Sequence, residues 1–200
     1  MADYFGHFPQ SFAKVERSHL KWLCGDDRDA AAATLRKTIT LAFAPTTFRG
    51  GITPADGEAW AEEIDDDLDL RDKLSNRAWN EVTAEIIGMQ AADLPLFTPE
   101  AYAAFLPAWL MHSLENLSGD NEVRDFTVYE FCRHDPHPAL QEHQRIRHAL
   151  LNAEQRKGVV DFLVLVSNRE RDQFWRAKAE EALSSFRDDS ISPSGFDKRS

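Results

Sequence analysis

Thr98-Pro99-Glu100-Ala101-Tyr102-Ala103-Ala104-Phe105-Leu106-Pro107-Ala108-Trp109-Leu110, running on to Leu117, is the stretch that decides the fold class. Thr98 has the side-chain oxygen of an N-cap, Pro99 the preset dihedral of a first helical residue, and Glu100 a charge that favours the positive end of the helix dipole. Counted from Tyr102, the residues Tyr102, Phe105, Leu106, Trp109, Leu110, Leu114 and Leu117 fall at offsets 0, 3, 4, 7, 8, 12 and 15. That spacing predicts a helix with a broad apolar stripe facing a core. Pro107 lies inside the pattern and has no N–H to reach the carbonyl of Ala103, so a kink or break is expected between Ala103 and Pro107. An interior proline costs roughly 3 kcal/mol, which is tolerated when the bend serves packing or function. Bending over the core is the plainer account. The alternative is a pocket at the freed Ala103 carbonyl, with Tyr102, Ala103, Pro107 and Trp109 around it.

Downstream, Ser118-Gly119-Asp120-Asn121 reads as a turn. Val123 to Phe131 is open between a short helix and an edge strand, because Phe126, Val128, Tyr129 and Phe131 favour strands without clean alternation. Asp135-Pro136-His137-Pro138 reads as loop. Asn152 with Gln155 three residues on forms a capping box before Val159 to Val166, an apolar run interrupted only by Asp161. A last helix is expected from about Arg169 to Phe186, with Trp175, Ala179, Ala182, Leu183 and Phe186 on one side.

Upstream, Asp29 is placed to cap an Ala-rich helix to about Phe43, with Leu35, Ile39, Ala42 and Phe43 as its stripe and Pro45 as its stop. Gly50-Gly51 marks a loop. Thr53-Pro54 reads as a helix start leading into an acidic run whose apolar side is Trp60 and Ile64. A further helix is expected from about Asn76 to a C-cap at Gly88, presenting Trp79, Val82, Ile86 and Ile87. Phe12, Val15, Leu20, Trp22 and Leu23 allow one short helix in the extension 1–28. The expected fold is all-α: a single irregular bundle of about six to seven helices, one kinked at proline, over residues 29–186, with a disordered tail over 187–200.

The chain has 200 residues and a net charge of -11, suited to one domain and unsuited to polyanions such as nucleic acid or anionic membrane. Between residues 55 and 72 lie nine acids, Asp56, Glu58, Glu62, Glu63, Asp65, Asp66, Asp67, Asp69 and Asp72, against Arg71 alone. Residues 123–178 are slightly basic, but acids interleave there with Arg145, Arg147, Arg156, Lys157, Arg169, Arg171, Arg176 and Lys178, a pattern suited to pairing within helices. Met1 to Arg17 lacks the continuous apolar run of a signal peptide or membrane span. Cys24 and Cys132 form no CxxC, so a cytoplasmic protein with free thiols is expected.

Four of the seven histidines, His134, His137, His143 and His148, cluster with Cys132, and imidazole and thiolate are zinc ligands. Their spacing is poor: His143 and His148 diverge by about 140° on a helix of 3.6 residues per turn, where chelating pairs use i, i+4. Asp65, Asp67 and Asp69 imitate the first positions of a calcium loop, which then fails at Leu70 and Asn76. The GxSxG, P-loop and GxGxxG signatures are missing from the sequence.

The segment Leu96 to Leu110, written as Thr98-Pro99-Glu100-Ala101-Tyr102 with Phe105-Leu106-Pro107-Ala108 following, resembles the signature of an uncharacterised bacterial family classed as a domain of unknown function. Leu151 to Gln155 before the Val159 to Val166 helix, and Phe48-Arg49-Gly50 before Trp60, are similar to two further blocks of that family. The resemblance spans roughly residues 30 to 170 and implies no catalytic residue or cofactor.

The functional expectation is a non-catalytic protein-interaction module, adaptor or immunity-like, whose acidic face, Glu62, Asp65, Asp66, Asp67 and Asp69, meets a basic protein partner. No cofactor, membrane or nucleic acid is expected. The alternative is a metal-dependent enzyme using Cys132, His134, His137 and His143.

Overall fold

The computed structural model describes residues 28–53, 67–115, 117, 120–132, 138–169 and 172–191. Eight α-helices lie among them: α1 (Arg28–Ala42), α2 (Asp67–Leu74), α3 (Ala84–Met89), α4 (Pro99–Ser113), α5 (Glu122–Glu130), α6 (Pro138–Ala149), α7 (Ala153–Arg169) and α8 (Gln173–Ile191). Two single turns of 3₁₀ helix, Trp79–Glu81 and Leu94–Leu96, complete the described elements. The fold is all-α, six longer helices with two short ones.

The central helix is α4, which packs against α1, α3, α5, α6 and the Trp79–Glu81 turn. Tyr102, Phe105, Leu106, Trp109 and Leu110 have no accessible surface, and Leu114 and Leu117 are also buried, so the whole expected stripe is core. Each large apolar side chain so buried contributes about 1.5–3 kcal/mol. Edge-to-face aromatic contacts knit this face together: Phe97 meets Trp109 at 5.4 Å between centroids and Phe105 at 6.2 Å. The start of α4 is tied down by Thr98. Its Oγ1 accepts from the N–H of Ala101 at 3.2 Å and donates to the carbonyl of Gly51 at 2.8 Å, while its own N–H bonds the carbonyl of Ile52. The loop beneath is close-packed. A Cβ on Gly50 would stand 2.6 Å from Cζ of Phe48, whose ring rests edge-on against Phe105.

Pro107 does not break α4, which is continuous from Pro99 to Ser113. The ring itself is buried beside Leu106 and Ala108. Burial of the surrounding apolar side chains offsets the hydrogen bond that proline forfeits.

The second half of the core is the pair α7 and α8, with α1 laid on α7 and α5 on α8. Asn152 and Gln155 form the expected reciprocal cap, their backbone N–H groups donating to each other's side-chain oxygens at 2.9 and 3.0 Å. Val159, Phe162, Leu163, Leu165 and Val166 are buried. Ala179, Ala182 and Phe186 form the buried side of α8, as expected, but the helix starts at Gln173 and runs to Ile191, past the Arg187 where a tail was expected.

Three further differences are local. Residues 76–88 do not form one helix: Asn76 has a left-handed φ of 58°, Trp79–Glu81 is a 3₁₀ turn, and Val82 and Thr83 are extended before α3. Thr83 caps α3 by accepting from the N–H of Ile86, and Gly88 is an interior residue, with Gln90 at the C-cap. Residues 123–130 are helix, with Phe131 at the C-cap, because Asn121 caps α5 through the Arg124 N–H at 2.9 Å and burial falls on Val123, Thr127, Val128 and Glu130 at helical spacing. Asp29 is not the cap of α1 but lies within its first turn, where its charge still suits the dipole. The expected helix in the N-terminal extension, and Trp60 and Ile64 of the acidic run, lie outside the described residues.

Candidate functional site

The outer side of α4 opens into a groove of about 320 Å³, walled on the other side by the Trp79–Glu81 turn and α3. The turn is held rigidly: the indole N–H of Trp79 donates to the carbonyl of Phe43 at 2.7 Å, and the Glu81 carboxylate accepts from the N–H of Ala78 at 2.7 Å. Trp79, Val82 and Ile87 line one wall. Ala108, Met111 and His112 of α4, at i, i+3 and i+4, line the other together with Glu115 just past the helix end. His112 Nδ1 lies 3.1 Å from Glu115 Oε2. Glu115, which is exposed, is the one acid among the described residues that lines the groove; Glu81 on the turn and Glu85 on α3 are also exposed but do not line it.

A contact links α2, in which the acidic run ends, to α3. Lys73 Nζ, in the last turn of α2, lies 3.9 Å from Sδ of Met89 at the end of α3. Glu62, Asp65 and Asp66 lie outside the described residues, and the described backbone begins at Asp67 and carries Asp69 within α2.

The four pocket candidates from sequence do not line the groove. Tyr102, Pro107 and Trp109 are core residues and Ala103 is half-buried. The indole N–H of Trp109 donates to the carbonyl of Ala91 at 3.3 Å. Met111, His112 and Glu115 are not marked out in the sequence, because their stripe is distinguished only by what packs against it.

A second group of polar side chains is sealed between α4, α5, α6 and α8. Arg147 Nη2 donates to Glu130 Oε1 at 2.7 Å, with the two side chains 2% and 0% exposed. Nη1 donates to the carbonyls of Leu94 and Pro95, and the guanidinium lies 5.1 Å from the centre of the Tyr102 ring. Gln144, one turn earlier on α6, spends its amide on the carbonyls of Glu130 and Cys132. Burial pushes the Glu130 carboxyl up to about 7, with Arg147 pulling the other way. The Tyr102 hydroxyl is held well above its usual range, by burial first and by Glu130 second.

This placement corrects one sequence expectation. Arg147 does not pair within its own helix but bridges three elements, whereas Arg145 with Glu142 and Lys178 with Glu181 do pair within theirs. His148 is 1% exposed, stacked on Phe131 at 5.4 Å and edge-on to Phe186 at 4.9 Å. Cys132 is buried, with Sγ near the carbonyls of Val128 and Lys178, and burial pushes its thiol up to about 12. A thiol held neutral is a poor metal ligand. Of the proposed metal set, His134 and His137 lie outside the described residues and His143 is half-buried. Among the described residues, no three His, Cys, Asp or Glu side chains converge as a metal site would require. Nor, among them, is any helix long and apolar enough to cross a membrane.

The family model described as a family of unknown function, DUF6714, matches residues 34–187. The chain belongs to that family. The matched span runs from within α1 to Arg187 in α8, so it contains both the groove and the sealed polar group. Neither a curated protein nor a solved structure matches the chain.

Proposed function

We propose that this member of the family is a non-catalytic protein-interaction module, adaptor or immunity-like, that binds a basic protein partner. The observation that carries the reading is the largely apolar groove between Trp79, Val82, Ile87 and Met111, with the exposed acid Glu115 in its lining. A partner segment that sets an apolar side chain between Val82, Ile87 and Met111 and flanks it with lysine or arginine would match both features. Charge supplies steering and partner choice, while the desolvated apolar contact supplies most of the affinity. In this reading the charge of Glu62, Asp65, Asp66, Asp67 and Asp69 adds to the attraction for the basic partner.

Affinity capture from the native host at low salt tests it. Recovery of a basic protein is expected, with at least tenfold less recovered after Asp65→Asn, Asp66→Asn and Asp67→Asn together, and likewise after Met111→Glu. Capture unaffected by both changes would sink the reading.

A further inference from the structure

The Glu130 carboxylate is completely buried, yet only half of it is hydrogen-bonded. Oε1 takes the Arg147 donor, and Oε2 has no hydrogen-bond partner among the described residues. The Gln144 amide does not supply one, because both its N–H bonds go to the backbone carbonyls of Glu130 and Cys132. Nor is Arg147 dedicated to this carboxylate. Its other terminal nitrogen holds the carbonyls of Leu94 and Pro95, and its face lies on Tyr102. One cation is therefore shared between α5, the turn before α4, and α4 itself.

We propose that Glu130 is a proton switch at the junction of α4, α5 and α6, exchanging one proton with solvent in the folded protein and thereby tightening or releasing the bond from Arg147 to α5 while Arg147 keeps the Leu94–Leu96 turn. Ionised, Glu130 holds Arg147 by a charge-assisted bond, at the cost of an unsolvated anionic oxygen. Protonated, it becomes a neutral acid with one O–H donor, and Arg147 keeps the Leu94 and Pro95 carbonyls and the Tyr102 ring. Burial has already brought the two forms close in energy at neutral pH.

The surrounding groups leave Arg147 as the charge that acts on Glu130. On α4, Tyr102 is an acid held neutral by burial, as is Cys132 just past α5. On α6, His148 is enclosed by Phe131 and Phe186. On α8, Lys178 and Glu181 pair with each other at 2.8 Å and act on Cys132. Glu85, the titratable residue of α3, is exposed, and the Leu94–Leu96 turn has none.

Nuclear magnetic resonance on the full chain, with ¹³C in glutamate carboxyls and ¹⁵N in arginine, tests the switch between pH 5 and 9. The expected result is a Glu130 Cδ transition with a midpoint within a unit of pH 7. The Arg147 Nε resonance and the Leu96 amide should follow at the same midpoint, and the Arg147 and Leu96 transitions should vanish in Glu130→Gln. The wild-type titration stands even where that variant fails to fold. A Cδ resonance that stays in one form across the range overturns the proposal. So does an Arg147 resonance that ignores a titrating Glu130, since a static buried pair would behave that way.

Discussion

Arg147 and Glu130, seventeen residues apart in the chain, meet at 2.7 Å across the α5–α6 contact with neither side chain reaching solvent. Such a pair is costly to make and more costly to break, because removing one member leaves the other charge buried without its counter-ion. Arg147→Met is therefore expected to lower unfolding stability at pH 8 by about 3–5 kcal/mol. Adding Glu130→Gln should recover a large part of that loss, since the stranded carboxylate is gone. Urea denaturation of the four proteins of this double-mutant cycle measures it; a double variant no more stable than Arg147→Met would show that lost packing, not stranded charge, sets the cost.

The same carboxyl sets the sign of a pH effect. Its folded value of about 7 exceeds the ordinary 4.5, so between these values the folded state binds more protons than the unfolded state. The stability conferred by this group is full below pH 4.5 and is lost as pH rises towards 7, at up to about 1.4 kcal/mol per pH unit. Glu142 acts in the opposite sense, because the Arg145 hydrogen bond holds it below the usual carboxylate range; its contribution is present at neutral pH and fades in acid. Urea midpoints at pH 5, 6, 7 and 8 for the wild type and Glu130→Gln isolate the first effect, with the gap between the two curves expected to change across that range.

Two glycines should respond oppositely to the same methyl group. At Gly50 the added Cβ would meet the Phe48 ring at 2.6 Å, and that ring is braced against Phe105, so Gly50→Ala should destabilise by roughly 1–3 kcal/mol. At Gly88 nothing stands within 4 Å and the residue is helical, so Gly88→Ala should stabilise by roughly 0.5–1 kcal/mol. Thermal melts of both variants compare the signs directly. A stabilised Gly50→Ala would mean that Phe48 can swing aside freely.

The reciprocal cap of α7 is solvent-exposed, so its removal should be felt without disturbing the core. Asn152→Ala is expected to cost about 1 kcal/mol, and Gln155→Ala less, because the first loses the acceptor for an orphan helix N–H. Denaturant midpoints should fall with unchanged slope; a changed slope would point to wider rearrangement.

By itself the sequence determined the features that depend on neighbours a few residues away. Thr98 with Pro99, the stripe from Tyr102 to Leu117, the Asn152–Gln155 box and the run Val159 to Val166 were all legible, since caps and helical periodicity are short-range chemistry. Tertiary structure decided the rest. Whether Val123 to Phe131 is helix or strand turned on which side chains found a core, not on their β-propensity. The helix expected over 76–88 gave way to a turn because Trp79 is drawn to the Phe43 carbonyl, a contact 36 residues away in the chain. The groove needed α3 to be set beside α4 before Met111, His112 and Glu115 meant anything. Arg147 reads in sequence like its neighbour Arg145, and only packing makes one a solvated partner of Glu142 and the other a buried partner of Glu130. Local pattern specifies what a segment is; which charges lose their water depends on what the fold brings over them.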